Sequence, residues 1–166
     1  MINEAMTKLF HAGAALSIAA GNENQNCANV SPASALGAFT VGATDRTDAK
    51  ASYSNWGECV QIHAPGTAIT SLWVGKDGET KTISGTSMAT PHVAGVMASV
   101  MSEGEFTSPQ QVYDAMKQLA TRNVISGLTN STVNALVFNG KSEEAFDVPS
   151  PPATIPDPLP TPEEDD

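Results

Sequence analysis

The chain has 166 residues, enough for one domain with a buried core and an additional segment, and its formal net charge at pH 7 is −10. A protein this acidic is not expected to bind nucleic acid. The sequence contains no run of about twenty apolar residues, so no membrane contact through a spanning helix is predicted. Residues 1–6 also lack the basic and apolar regions of a secretory signal.

The first residues predict a helix followed by a buried strand. Apolar side chains recur at helical spacing over residues 2–12, and Gly13 is suited to end that helix. Residues 14–20 (AALSIAA) form a continuous apolar run, which is typical of a strand buried on both faces. A helix followed by such a strand is half of a parallel α/β unit, so the sequence predicts an α/β fold.

Four more strands are predicted in the middle of the chain. Two short strands are expected at residues 39–43 and 60–64. Residues 68–74 and 79–83 are expected to form a hairpin, because the intervening Lys-Asp-Gly sequence is typical of a tight turn.

Two helices and a last strand complete the predicted domain. Residues 86–101 form a helix rich in small side chains, which predicts close packing and burial rather than an amphipathic surface position. A second helix is expected to begin with Ser108 as N-cap, Pro109 in the first turn and Gln111 at the capping-box position. Residues 133–138 predict the final strand.

The last segment, residues 141–166, differs in composition from the rest. It holds eight of the eighteen acidic residues and seven of the eleven prolines. Such a segment buries too little apolar surface to offset its ordering entropy, so we expect a disordered tail that is partly polyproline-like. Two readings stay open for this tail: a solvated segment without a specific role, or a docking segment for a partner.

The chemistry of the chain is concentrated at two places. Ser87 stands where a glycine-containing loop enters an apolar helix, and the free N–H groups and positive end of a helix stabilise a developing anion there. Asn22 ends the apolar strand, where its side-chain amide can act as a second hydrogen-bond donor. A nucleophile with two such donors is what acyl transfer requires.

Two motifs carry a family resemblance. Residues 84–95 (SGTSMATPHVAG) and 19–23 (AAGNE) resemble the nucleophile and oxyanion-hole segments of the subtilisin-like serine proteases. The resemblance extends over residues 1–140 and is nearest to the branch with proteinase K, the vacuolar and secreted fungal subtilases and aqualysin. It implies the C-terminal part of a three-layer α/β catalytic domain with a mainly parallel sheet.

The resemblance also implies an endopeptidase that hydrolyses polypeptides through a Ser-His-Asp triad. In that reading Ser87 is the nucleophile and Asn22 the oxyanion donor. One wall of the primary specificity pocket is implied for Ala19, Ala20 and Gly21. Glu23 follows the oxyanion residue and is either near that pocket or an exposed loop acid.

The other two triad segments of the family are not in this sequence. In relatives the Asp precedes Ser/Thr-Gly and the His lies in His-Gly-Thr-His, and neither motif occurs here. Of the three histidines, His92 matches a buried structural residue of the family, His63 takes an aromatic packing position, and His11 lies near a helix end. None is expected to act as the base, so the isolated chain is predicted to be inactive.

Three hypotheses therefore stay open. The chain is the C-terminal part of an endopeptidase, a half-enzyme that needs a complementary chain with the Asp and His, or a non-catalytic subtilase-like binding module. The expected partner in the first two is an N-terminal half of the catalytic domain. The intact nucleophile and oxyanion motifs argue against the third.

The resemblance implies three further features. Cys27 and Cys59, the only cysteines, match a disulfide of aqualysin-like relatives. Calcium is a family cofactor, but Gln61 occupies the position of its carboxylate ligand, so no metal ligands are assigned and no cofactor is expected. Secretion or a vacuolar location follows from the family alone.

Overall fold

The structure, a computed structural model, describes residues 1–129 and 131–141. The predicted tail, except for Lys141, lies outside the described residues. In chain order the elements are α1 (Ile2–His11), β1 (Ser17–Ala19), a 3-10 turn (Cys27–Asn29), β2 (Phe39–Thr44), β3 (Val60–Pro65), β4 (Ile69–Leu72), β5 (Thr80–Ile83), α2 (Thr86–Glu103), α3 (Pro109–Leu119), β6 (Thr121–Arg122) and β7 (Ala135–Leu136).

The main sheet has five strands in the order β1-β2-β3-β7-β6. Its first four strands are parallel to their neighbours and only β6 pairs antiparallel, so the predicted α/β fold with a mainly parallel sheet is confirmed. The predicted hairpin is also present as the antiparallel pair β4–β5. Among the described residues, no helix combines the length and the apolarity needed to cross a bilayer.

The main core lies between the sheet and the helices α2 and α3. The central strands β2 and β3 contribute Phe39, Val41 and Ile62, all fully buried, and α2 packs Ala89 and Val93 against them. Burial of apolar side chains stabilises the folded state by about 25 cal/mol per Å² of surface removed from water, and it is the dominant favourable term in folding. The fold therefore fixes the start of α2 relative to the carboxyl ends of the parallel strands.

A smaller core cluster surrounds the predicted disulfide. Cys27 and Cys59 are bonded, with their Cα atoms 6.0 Å apart. Buried Ala20, Ala33 and Val60 pack around Cys27. The bond closes a loop of 32 residues between the turn after β1 and the start of β3, and such a cross-link stabilises the fold mainly by restricting the unfolded chain.

The start of α3 follows its sequence signals closely. Ser108 is the N-cap, and its hydroxyl accepts a hydrogen bond from the Gln111 backbone N–H at 3.4 Å. The Gln111 side chain accepts a bond from the Thr107 N–H at 2.8 Å, one residue before the position expected for a capping box. Both ends of the predicted box are thus occupied by the expected residue types.

Two expectations about burial are wrong. Strand β1 is three residues long and only half-buried, because in the described part of the chain it is an edge strand that pairs with β2 alone. Helix α2 is buried along one face, but Ala94, Gly95 and Ala98 on its other face are exposed. The pattern of small apolar residues predicted burial on all sides, whereas the described elements cover one side only.

The last predicted strand is also shorter than expected. Of residues 133–138 only Ala135–Leu136 form a strand, β7, and the sequence signals missed its two-residue neighbour β6. Pairing of so few residues depends on tertiary contacts, which local periodicity does not contain.

Tyr113 joins three parts of the fold. Its ring stacks on Phe39 at a centroid distance of 4.8 Å. Its hydroxyl accepts a hydrogen bond from the Leu16 N–H at 2.7 Å and donates one to the Gly37 carbonyl at 2.8 Å. Both partners are backbone groups beside β1 and β2, so this hydroxyl fixes the edge of the sheet to α3.

Replacement of Tyr113 by phenylalanine should destabilise the chain by about 1–3 kcal/mol, because the Leu16 N–H and the Gly37 carbonyl lose a buried partner. Urea unfolding followed by circular dichroism measures the change. Tyr53→Phe is the matched control, since Tyr53 is half-buried and the Gly66 carbonyl that its hydroxyl bonds keeps a second partner, the Gly85 N–H at 2.9 Å. Equal losses in the two variants would contradict the role given to the Tyr113 hydroxyl.

Candidate active site

The structure brings Ser87 and Asn22 to the same place. Asn22 is exposed in the loop after β1, and Ser87 is the exposed second residue of α2. They are brought together because β1 ends beside the first turn of α2, which packs on the sheet. The two sequence-predicted residues therefore share one surface, and their catalytic roles stay a prediction.

Thr86 connects the two segments directly. The Asn22 side-chain oxygen accepts hydrogen bonds from the Thr86 N–H at 2.8 Å and from the Thr86 hydroxyl at 2.9 Å. The same hydroxyl accepts a bond from the Gly21 N–H at 3.2 Å. Since Thr86 is buried and directly precedes Ser87, these bonds fix the Asn22 amide against the start of α2.

Two hydrogen-bond donors beside this junction remain free. Within the described residues, neither the Asn22 Nδ2 group nor the Ser87 N–H has a hydrogen-bond partner, as expected for an N–H in the first turn of a helix. Both border one small space. A Cβ atom added to Gly85 would lie in this space, 3.7 Å from Asn22 Nδ2 and 3.7 Å from the Ser87 nitrogen.

Residues 19–21, predicted to line a specificity pocket, pack partly into the core cluster around the disulfide. Ala20 is fully buried in the disulfide cluster, while Ala19 and Gly21 are half-buried. Glu23 is exposed, and its carboxylate accepts a hydrogen bond from the Asn22 N–H at 2.9 Å. The Ala20 N–H bonds the Val41 carbonyl and its carbonyl accepts from Asn55 Nδ2, so neither the side chain nor the backbone of Ala20 is free on this surface.

None of the three histidines is hydrogen-bonded to Ser87. His11 lies at the end of α1, beside the Phe10 ring. His63 is fully buried in β3, as the packing interpretation predicts. His92 bonds the Met88 carbonyl one turn earlier in α2 at 2.8 Å. That no histidine of this chain activates the serine stays a prediction.

The expected burial of His92 is wrong, because its side chain is exposed. It lies on the face of α2 that no described element covers. Next to this face is a cleft of about 440 Å³ between the β4–β5 hairpin and α2. Met88, directly after Ser87, and Pro91 line the cleft from the helix, and Trp73 lines it from the hairpin.

At the position of the family's calcium-binding carboxylate, this chain has the neutral side chain of Gln61. The Gln61 side chain donates a hydrogen bond to the Ala38 carbonyl at 3.4 Å, and its buried oxygen has no partner in the described chain. No group of three or more His, Cys, Asp or Glu side chains is placed to bind a metal among the described residues. Calcium prefers six to eight oxygen ligands that include carboxylates, and Gln61 offers one neutral amide oxygen where the family has a carboxylate.

Sequence reasoning did not identify Thr86 and Asn55 as parts of the site. Thr86 directly precedes Ser87 in the serine motif, but the sequence did not indicate that Thr86 bonds the Asn22 side chain. Asn55 is fully buried, far from both motifs in the chain, and bonds the loop that carries Asn22. An amide bonding a loop over 30 residues away leaves no periodic or motif signal.

Comparison with known proteins places this geometry in a family. The subtilase family profile matches residues 1–140. A subtilisin-like serine protease of Sarocladium strictum, AsES, is 50% identical over 139 residues, which is 84% of this chain and 35% of that protein. Cerevisin of Saccharomyces cerevisiae is 40% identical over 152 residues, covering 84% of this chain and 24% of cerevisin.

Solved structures agree with this. The crystal structure of a cold-adapted subtilisin-like serine proteinase superposes with a TM-score of 0.79 at 41% identity, over 84% of this chain and 50% of that chain. The chain belongs to the subtilase family. It spans about a third of the length of the curated relatives first matched.

The buried His63 generates a pH prediction. Burial lowers its pKa to about 4, a weak interaction with the Ala135 backbone offsets only part of this, and the Lys50 charge lowers it further. Since the unfolded chain binds this proton near pH 6.5, the unfolded state holds more protons between pH 6.5 and 4. Stability should therefore fall as the pH drops through this window, by about 3 kcal/mol in total.

Denaturant unfolding at several pH values measures this effect, with His63→Phe as the comparison. Phenylalanine keeps a ring against Gly42 and removes both unpaired ring nitrogens. The variant should lose the pH 4–6.5 component while other groups continue to titrate. Identical pH profiles for the wild type and His63→Phe would contradict the prediction.

Proposed function

We propose that this chain supplies the nucleophile and the oxyanion donors of a serine endopeptidase, and that the catalytic His and Asp come from a separate polypeptide segment. That segment either belongs to the same longer protein or is a second chain. The observation that carries the proposal is the pair of free donors, Asn22 Nδ2 and the Ser87 N–H, around the space beside Gly85. Family membership adds the reaction class.

The proposed chemistry follows from this geometry. The Ser87 hydroxyl attacks the carbonyl carbon of a peptide bond, and its proton passes to the His imidazole of the other segment. The carbonyl oxygen becomes negatively charged in the tetrahedral intermediate and accepts hydrogen bonds from the two free donors. The proton then moves to the leaving amine as the C–N bond breaks, which leaves an acyl-enzyme on Ser87. Water attacks this ester by the same two steps, and Ser87 takes back its proton as the acid product leaves.

Two uncovered surfaces support a complementary segment. Between Thr86 and Glu103, α2 carries one acidic residue and no lysine or arginine, which is typical of a helix enclosed by protein. Yet Pro91, Ala94 and Ala98 are exposed. Strand β1 likewise offers an unpaired edge in the described sheet, which a further parallel strand can extend. We expect the chain alone to aggregate readily for the same reasons.

Complementation tests this proposal. The part of the Sarocladium strictum relative that precedes the matched 139 residues serves as the added segment, co-expressed with this chain. The complex should label with a fluorophosphonate and cleave peptide substrates, whereas the chain alone should do neither at a measurable rate. Asn22→Ala should slow labelling of the complex by about ten- to a hundredfold, since it removes a hydrogen bond to a charged group.

Ser87→Ala is the blank for this experiment, because it removes the labelled oxygen. Ser99→Ala, further along α2, is the matched control and should label at the wild-type rate. Rapid labelling of Ser87 in the isolated chain would contradict the need for a second segment. A correctly assembled complex that never labels would overturn the endopeptidase assignment itself.

We propose that the substrates are polypeptides and that the chain works in an oxidising compartment, either outside the cell or in a vacuole. The matched relatives include serine proteases, among them a cuticle-degrading serine protease of Arthrobotrys oligospora and a cuticle-degrading protease of Metarhizium anisopliae. The Cys27–Cys59 bond supports an oxidising location, because cytosolic thiols are normally kept reduced.

We also propose that the stability of this chain is independent of calcium. The neutral Gln61 amide bonds the Ala38 carbonyl itself and brings no charge to a cation. Millimolar calcium should therefore shift the melting temperature by no more than about 1 °C relative to a chelator. Gln61→Glu, which places a carboxylate in the same space, is expected to be less stable and to be partly restored by calcium. A clear calcium-dependent rise in the wild type would contradict the proposal.

A further inference from the structure

The loop that carries Asn22 has no regular secondary structure, so its shape depends on specific bonds. Four of them come from one side chain, Asn55, which is 0% exposed. The loop runs through residues 20–25, about 30 positions earlier in the chain. Asn55 also anchors the loop by its backbone, because its N–H bonds the Gly21 carbonyl at 3.0 Å.

The Asn55 side chain uses its complete hydrogen-bonding capacity on this loop. Its Nδ2 donates to the Ala20 carbonyl at 2.8 Å and to the Glu23 carboxylate at 2.9 Å. Its Oδ1 accepts from the Glu23 N–H at 3.1 Å and from the Gln25 N–H at 2.9 Å. An asparagine has two donor hydrogens and two acceptor lone pairs, and all four are satisfied here.

The same network reaches Asn22. The Glu23 oxygen that Asn55 bonds, Oε2, also accepts the Asn22 N–H at 2.9 Å. The backbone of Asn22 is therefore held through Glu23 and Asn55, while its side-chain oxygen is held by Thr86. With both ends fixed, the Asn22 Nδ2 group has one favoured direction.

The Asn55 side chain packs closely against the backbone of Gly21. Gly21 has a φ of 100°, in the left-handed region that favours glycine. A Cβ at this position would overlap with Asn55 Nδ2 and lie 2.8 Å from Glu23 Oε2. The amide and the loop backbone are thus in direct contact.

We propose that Asn55, acting through Glu23, is a positioning residue that sets the direction of the Asn22 amide at the oxyanion site. The inference rests on the proposed function for its catalytic meaning. Donors stabilise a developing anion best when they are oriented before the reaction begins, since they then need no reorganisation. A loop held only by its ends would not provide this orientation.

The first test needs no catalysis and uses the isolated chain, kept dilute because we expect it to aggregate. The ¹H–¹⁵N signals of the Asn22 side-chain amide, assigned by their loss in Asn22→Ala, report its orientation and order. In Asn55→Asp both donor hydrogens are lost and a carboxylate faces Glu23. The Asn22 signals should move towards their random-coil positions, while methyl signals of the core residues Val41 and Ile62 stay in place.

Asn134→Asp is the matched control. Asn134 also bonds a loop backbone through both side-chain atoms, at the N–H and carbonyl of Ile125, but far along the chain from Asn22. It should leave the Asn22 signals unchanged. Glu23→Ala, at an exposed position, gives a second readout if Asn55→Asp does not fold, because it removes the same link to the Asn22 N–H. Unchanged Asn22 signals in a folded Asn55→Asp chain, or in Glu23→Ala, would overturn the proposal.

The second test uses the complemented enzyme. Asn55→Asp should lower kcat by about tenfold or more and change KM by less than about twofold, because the lost interaction acts on the transition state. Addition of Glu23→Gln, which restores a donor opposite Asp at position 55, should recover part of kcat. A wild-type complex without activity would count against the proposed function alone, since the amide signals still decide the role of Asn55.

Discussion

The two hydrogen bonds from Thr86 to the Asn22 side-chain oxygen, at 2.8 and 2.9 Å, are the interaction on which the site depends. They join a loop after an edge strand to the first turn of a helix 64 residues later. By occupying the oxygen of the amide they leave its nitrogen free, beside the free N–H of Ser87. The rest of the fold can be understood as the scaffold that brings these two segments within hydrogen-bond distance.

That scaffold covers one side of the sheet edge and of α2 and leaves the other side uncovered in the described chain. The packing of β2, β3 and α3 against α2, together with the Cys27–Cys59 bond, fixes the site from behind. The outer edge of β1 and the small-residue face of α2 are uncovered in the described chain. Small side chains on a helix face expose little apolar area each, and they permit close approach of another element. The small-residue face of α2 is therefore well suited to close packing against another element.

The sequence predicted those parts of the fold that local chemistry determines. The amphipathic periodicity of α1, the Ser108 cap of α3 and the serine motif at α2 each contain their signal within a dozen residues. The expected burial of β1 and of His92 was wrong for a common reason, because a local pattern does not record which surfaces the described elements leave uncovered. The disulfide partners followed from the family resemblance, whereas the Asn55 network needed coordinates, since its members are distant in sequence and individually ordinary.

In the proposed function, two physical tasks that serine hydrolases combine are divided between this chain and another segment. Stabilisation of the developing oxyanion requires only oriented N–H groups, and we propose that Asn22 and Ser87 of this chain supply them. Activation of the hydroxyl requires a base, and none of the three histidines is hydrogen-bonded to Ser87: His11 lies beside Phe10, His63 is buried with a pKa of about 4, and His92 is bonded to the Met88 carbonyl. The donors are held without a base, by hydrogen bonds within this chain and by packing. Under the proposal, the chain therefore carries an anion-binding geometry that is already formed, and a base from the complementary segment completes the site without rebuilding it.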